Sequence, residues 1–189
     1  MANNCVVTTG LTLNDCINNT PGVDSIHVLT TTGTSISLSA ITYAANGEIT
    51  TMESDAIGVF RKIDLVRNST AALSEEVNVN SASLSFTYVP SLTFTIPGWN
   101  QEYTELYQEL VQSIGTVFVV KLKSGRYFLA SPSGMYIETA TIESGSQPGD
   151  SQLYTLTFTG DERISTPEME VPTTLAAFLS GTNMSVDRE

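Results

Sequence analysis

One histidine, two cysteines and a scatter of carboxylates are the side chains of this 189-residue chain that could carry chemistry. His27 lies inside an apolar run, between Ile26 and Val28. To act as a general base it would need a serine or cysteine nucleophile brought to it. The Gly-x-Ser-x-Gly turn that exposes such a serine does not occur. Cys16 follows Asp15, but no motif around it supports a Cys–His dyad. No Cys/His spacing fits a zinc site, and there is neither a P-loop nor a G-x-G-x-x-G after a strand. Gly149-Asp150 and Gly160-Asp161 read as turns, where the pair is common. A carboxylate pair of the glycosidase kind cannot be recognised from spacing. The expectation is therefore no catalytic residue, no metal ligand and no cofactor, with His27 an ordinary surface or lumen side chain.

Charge is the stronger signal. Twenty Asp and Glu against eight Lys and Arg give a net charge of -12 and a pI of about 4.3. That balance argues against a protein that grips nucleic acid by its phosphates, though not against one that lets it pass. Residues 1–60 hold no Lys or Arg, and six of the eight cations fall in two clusters, Arg61, Lys62, Arg67 and Lys121, Lys123, Arg126. Two roles fit them: guarding strand edges against unwanted pairing, or meeting an acidic neighbour. Apolar residues make up 41% and charged ones only 15%, with Ser and Thr filling about a quarter of the chain, so a buried core is expected and disorder is not. No apolar run is long enough for a membrane helix, and Met1 to Asn4 lack the basic start of a signal peptide. Synthesis in a cytoplasm, without a membrane partner, is the expectation. Cys5 and Cys16 are too few for a disulfide scaffold; a single bridge or two thiols both remain open.

The elements that would position these groups are mostly strands. Leu84, Phe86, Tyr88, Leu92, Phe94 and Ile96 alternate with Ser83, Ser85, Thr87, Ser91, Thr93 and Thr95, the period of a strand with one apolar and one hydroxyl face. Pro90 makes this two strands or one bent strand, near an edge. Tyr154 to Thr159 alternates in the same way, as do Ser35 to Ser39. Val117 to Val120 reads as a buried strand that turns at Ser124-Gly125 into Arg126 to Ala130, and turns again at Ser133-Gly134 into Met135 to Ile142. Further strands are expected at Ser25 to Thr31 and Ile57 to Val66. The segments 30–34 and 68–80 read as loops. One helix is expected over about 99–114, with the stripe Trp99, Tyr103, Leu106, Tyr107, Leu110, Val111 and Ile114 at helical spacing. Asn100 would cap it and Gly115 would end it. Its other face, Glu102, Glu105, Gln108, Glu109 and Gln112, would meet either solvent or a partner. The predicted organisation is an N-terminal arm over 1–23, a β-domain over 24–165, and a C-terminal arm over 166–189 outside the main sheet.

The stretch from Tyr103 to Val171 resembles tail-tube-like virion proteins of bacteriophages and prophages. In both, a helix leads into a Val-rich strand, then a Lys-x-Gly-Lys/Arg-Tyr type of turn (here Lys123 to Tyr127), an aromatic strand and a short Gly turn. The final strand is also similar: Tyr154, Leu156, Thr157, Phe158, Thr159, Gly160 and Glu162. Near the start, Gly10, Asn14-Asp15-Cys16 and Pro21-Gly22-Val23 look alike too. The resemblance implies a mainly β fold, a sandwich or barrel of antiparallel strands flanked by one helix. It implies side-by-side assembly into rings, hexameric in long-tailed phages, that line a channel for the genome in the virion tail. Partners would be further copies of the chain and adjacent tail or connector proteins, with DNA only as passing cargo. Because six of the eight cations of an otherwise acidic chain lie in them, the two basic clusters are expected to contact acidic faces of neighbouring subunits. The alternative from another class is a glycan-binding β-sandwich on a virion or cell surface, in which Trp99 and other aromatics would stack on sugar.

Overall fold

The computed structural model describes residues 21–30, 38–54, 57–65, 70–81, 85–98, 100–145, 147, 150, 152–171, 174–180 and 182–187. The fold is mainly β, as expected. The strands are β1 (Val23–Thr30), β2 (Leu38–Tyr43), β3 (Ile49–Ser54), β4 (Gly58–Asp64), β5 (Ala71–Asn80), β6 (Ser85–Pro97), β7 (Phe118–Leu122), β8 (Tyr127–Leu129), β9 (Tyr136–Glu143), β10 (Leu153–Thr159), β11 (Glu168–Met169) and β12 (Met184–Val186). Among the described residues there are also two helices, α1 (Gln101–Gln112) and α2 (Leu175–Phe178). An eight-stranded sheet runs β12-β4-β1-β7-β8-β11-β3-β2 and curls on itself; a four-stranded sheet runs β5-β6-β10-β9.

Period-two alternation explains how one sheet serves two cores. Ile26 and Val28 of β1 face the four-stranded sheet, packing with Leu92, Phe94, Leu156 and Phe158. Leu29, pointing to the other side, joins Ile49, Met52, Phe60, Val119, Leu129 and Leu175 inside the curl. β1 and β7 therefore have both faces buried, which is why Val117 to Val120 is continuously apolar. His27 falls on the inner side and is buried; the expectation of a surface or lumen histidine is corrected by the curl of the sheet. Its Nε2 lies 3.4 Å from Ser25 Oγ.

Helix α1 covers one end of the first core. Asn100 caps it as expected, its Oδ1 accepting from the Tyr103 N–H at 2.8 Å. The Thr104 and Tyr154 hydroxyls meet at 2.8 Å, and the Tyr107 ring lies 5.3 Å from that of Tyr154. The helix ends earlier than the stripe suggests: Ser113 is the C-cap, not Gly115, and Ile114 beyond it is 79% exposed. Trp99 lies outside the described residues.

Four other expectations change. First, residues 71–80 form a strand, not a loop; Glu75, Glu76 and the asparagines are poor strand formers, and pairing along all of β6 overrides them. Second, β6 is one strand inside its sheet, not at an edge. Pro90 is tolerated because the ladder to β10 stops at Ser91, and the Pro90 carbonyl still accepts from the Gly160 N–H at 3.1 Å. Third, the tail from Thr166 onward belongs to the large sheet through β11 and β12. Its apolar residues are sparse, yet Met169, Leu175, Leu179 and Met184 are all buried in the second core. Fourth, not every pairing is antiparallel: β11 with β3 and β12 with β4 run parallel. The hairpin β2/β3, turning at Gly47 with φ 87°, is a further element that the pattern reading missed. Of the N-terminal arm, residues 1–20 lie outside the described residues, and Val23 already begins β1.

Candidate functional site: an open-edged hydroxyl sheet and its charged flanks

The outward face of the four-stranded sheet is a regular surface. The alternation of β6, β9 and β10 sends their apolar residues to the first core and their hydroxyls outward. Strand register then aligns those hydroxyls in rows: Thr95, Thr155 and Thr141 in one, Thr93, Thr157 and Thr139 in the next. Thr93 and Thr157 bond to each other at 3.2 Å. None of the four strands contains a Lys or Arg, and Glu76 and Glu143 put acid on the same face. Among the described residues, β5 pairs only with β6 and β9 only with β10, so the sheet presents two rows of backbone N–H and C=O groups at its edges.

The β9 edge is held by a buried carboxylate. Glu162 accepts hydrogen bonds from Ser131 Oγ, from the Ser133 N–H at 2.7 Å and from Ser133 Oγ at 3.1 Å. Its own backbone pairs with Tyr88, at 2.8 and 2.9 Å, so one residue ties β6 to the turn that starts β9. That turn passes close to the chain after α1. A Cβ on Gly134, whose φ is +85°, would stand 2.5 Å from the Gly115 carbonyl oxygen, so only glycine fits. The same acid reaches further: burial, and then the charge of Glu162, push the Tyr43 hydroxyl above its ordinary value. At the rim of the face the charge of Asp161 comes first in raising the Tyr136 phenol, whose hydroxyl donates to Asp161 at 3.3 Å.

At the other edge, β5 and β6 extend past the body as an arm. Glu75 accepts from Ser165 Oγ at 2.7 Å, the Thr166 N–H at 2.6 Å and Thr166 Oγ1 at 2.8 Å. Burial alone would raise the Glu75 carboxyl, but these three bonds together hold it below its ordinary 4.5. A lowered folded-state pKa stabilises above the unfolded value and is lost as pH falls through the folded one. Glu75→Gln is thus expected to cost less than about 1 kcal/mol at neutral pH, since the site is exposed. The gap from wild type should narrow below about pH 4.5, the ordinary value from which the shift starts, as read by urea denaturation at several pH values.

The two basic clusters come to neighbouring strands, since β4 and β7 flank β1. Lys62 stands opposite His27 and Lys121 opposite Ser25, so both lysines share the inner face of the curled sheet. Lys62 pairs with Asp64 at 3.1 Å and Lys121 with Asp24 at 3.7 Å, the latter also lying 5.5 Å above the Tyr127 ring. Arg126 is bound to Glu168 through two hydrogen bonds, the leading cause of its raised pKa, and lies 5.7 Å from the Phe128 ring. Arg61 and Lys123 are exposed and make no ion pair among the described residues. Arg67 lies outside the described residues. The register thus gathers Lys62 and Lys121, while Arg126 is engaged within the chain.

Two further features have bearing on function. The large aromatics Phe60, Phe94, Phe118, Phe158, Tyr127 and Tyr154 are buried, leaving Tyr43, Phe86 and Tyr136 exposed on separate strands. Among the described residues no three His, Cys, Asp or Glu side chains gather as a metal site, and no helix is long and apolar enough to cross a membrane. The arm and the Glu162 clasp are what the residue pattern did not reveal, although Val77 and Val79 alternating opposite Phe86 and Tyr88 carried the signal for the arm. The chain matches no protein-family model, and no curated protein or solved structure matches it.

Proposed function

We propose that this chain is a phage virion structural protein, a ring-forming subunit of a tail tube or of a tail or connector ring that forms a channel for the genome. The observation that carries the proposal is the four-stranded sheet, cation-free along all its strands and, among the described residues, open at both edges. Open edges favour continuation of the sheet from one copy to the next. A hydroxyl and acid surface carries nothing that neutralises phosphate, and a net charge of -12 repels it, so DNA passes without being held. The partners are copies of this chain and adjacent tail or connector proteins. The candidate interface cations are Arg61, Lys62, Arg67, Lys121, Lys123 and Arg126, with Arg61 and Lys123 the two described ones that have no acid of their own.

Light scattering and negative-stain microscopy of the purified chain test this. Rings or stacked rings are expected; a monomer at all concentrations overturns the proposal. A second measurement addresses the channel. Thr93→Lys with Thr157→Lys should make the assembled protein retain DNA at low salt, with affinity falling steeply as salt rises. Assembled rings carrying both lysines that still ignore DNA would show that this face does not line the channel.

A further inference from the structure

Asn46-Gly47 is the one Asn-Gly pair in the chain, and the fold sets it at the tip of the β2/β3 hairpin. The Ala44 N–H donates to the Glu48 carbonyl at 2.8 Å and the Gly47 N–H to the Ala44 carbonyl at 3.0 Å, closing the loop. Asn46 and Gly47 are both exposed. Gly47 takes a φ of 87°, and a Cβ built on it would meet nothing within 4 Å, so its backbone nitrogen has open surroundings. The Asn46 Oδ1 accepts from the Glu48 N–H at 3.2 Å. That donor polarises the amide carbonyl and would support an oxyanion formed on it.

The other described asparagines are placed differently. Asn78 and Asn80 lie in β5, the Asn100 side chain is engaged in capping α1, and Asn183 leads into β12. Each is followed by a residue whose side chain crowds the next backbone nitrogen.

We infer that Asn46 is a site of spontaneous deamidation whose product unfastens β2. The deprotonated Gly47 nitrogen attacks the Asn46 Cγ. The N–Cγ bond forms, the Cγ–Nδ2 bond breaks, and the amide leaves as ammonia with its added proton taken from water. Water then opens the cyclic imide at one of its two carbonyls. One opening gives an aspartate at this position; the other gives isoaspartate, which routes the main chain through the side chain and lengthens it by one carbon. The Gly47 N–H must first leave the Ala44 carbonyl. The site permits this, because β2 pairs only with β3 among the described residues and a hairpin tip at a sheet edge opens readily.

The added carbon breaks the loop geometry that fixes the β2/β3 register. β3 is held from its other side, where Ile49 pairs with Met169 of β11 and accepts from the Glu170 N–H at 2.9 Å. β2 is therefore the strand released, and its departure leaves β3 as a new open edge. None of this depends on the assembly proposed above.

Ageing the purified full chain at mildly alkaline pH tests the inference. The readouts are peptide mapping by mass spectrometry and labelling by an isoaspartyl methyltransferase. Asn46 is expected to convert about tenfold faster than any other asparagine of the chain, and faster still as hydroxide rises. Hydrogen exchange in β2 should then increase, with β10 unchanged. Asn46→Gln, whose longer side chain disfavours the ring, should stop both changes. Asn46→Asp adds the same charge without lengthening the main chain, and should exchange like unaged wild type. Asn46 converting no faster than the other asparagines overturns the site. Conversion with β2 exchange unchanged, or Asn46→Asp loosening β2 as much as ageing does, overturns the release of the strand.

Discussion

Phe158→Ala is expected to lower the unfolding free energy by about 4 kcal/mol, a fall in Tm of about 8–16 °C for a domain of this length. The side chain is fully buried and lies at the joint between the two sheets. Its ring lies parallel to that of Phe94 with centroids 6.0 Å apart, and meets Phe118 edge-on at 4.7 Å. Phe94 and Phe118 are themselves 6.2 Å apart. The three rings come from β10, β6 and β7, so truncation of the central one leaves a cavity bounded by both sheets. Phe158→Leu should recover most of the loss, because it keeps most of the volume and forfeits chiefly the ring contacts. Thermal melts of the three proteins decide the matter. An alanine variant melting within a degree of wild type would mean that the sheets are not joined there.

Glu162→Ala comes second, with an expected cost of about 3 kcal/mol, or about 6–12 °C in Tm. Truncation removes the acceptor shared by Ser131 Oγ, Ser133 N–H and Ser133 Oγ, in a place where Ser131 is fully buried and cannot turn to water. Hydrogen bonds to an ionised acceptor are worth more than neutral ones, and the buried Ser131 hydroxyl is left with the longer bond to the Gly134 carbonyl at 3.2 Å. Glu162→Gln retains one acceptor oxygen and should lose about half as much. The effect should also be local. Hydrogen exchange in the 131–136 turn and along β9 should rise more than in β1 or β7, because the clasp holds the start of that edge strand. Exchange rising equally everywhere would point to a general loss of packing and not to a clasp. The edge matters for the proposed assembly, so rings of this variant should form more poorly than its melting temperature alone implies.

The strand pattern was largely legible because alternation is a local property. β1, β4, β6, β7, β8, β9 and β10 each announce themselves by apolar spacing, and the Asn100 cap marks the start of α1. What escaped notice was non-local. β5 has two adjacent glutamates and two asparagines within ten residues and becomes a strand only through β6. β11 and β12 are two and three residues long, too short to repeat a period-two pattern, and owe their state to partners distant in sequence, β3 and β8 for β11 and β4 for β12. The candidate surface divides in the same way. That β6 and β10 have hydroxyl faces follows from their residues; that Thr93, Thr157 and Thr139 stand in one row depends on register. The two basic clusters stood out in the chain, but the acids that engage Lys62, Lys121 and Arg126 did not.

By itself, the amino-acid sequence determined a β-rich, acidic protein with greasy and hydroxyl strand faces, one capped helix and no recognisable catalytic motif. These properties belong to residue type and to spacings of two or 3.6, which act over a few neighbours. The tertiary structure alone decided that His27 is buried, that the tail completes the large sheet, that Glu162 clasps the β8–β9 turn, and that Val77, Val79 and Phe86 of the β5/β6 arm are exposed. Each of these requires residues far apart in the chain to meet, and such meetings are set by sheet order and register, which no local pattern encodes.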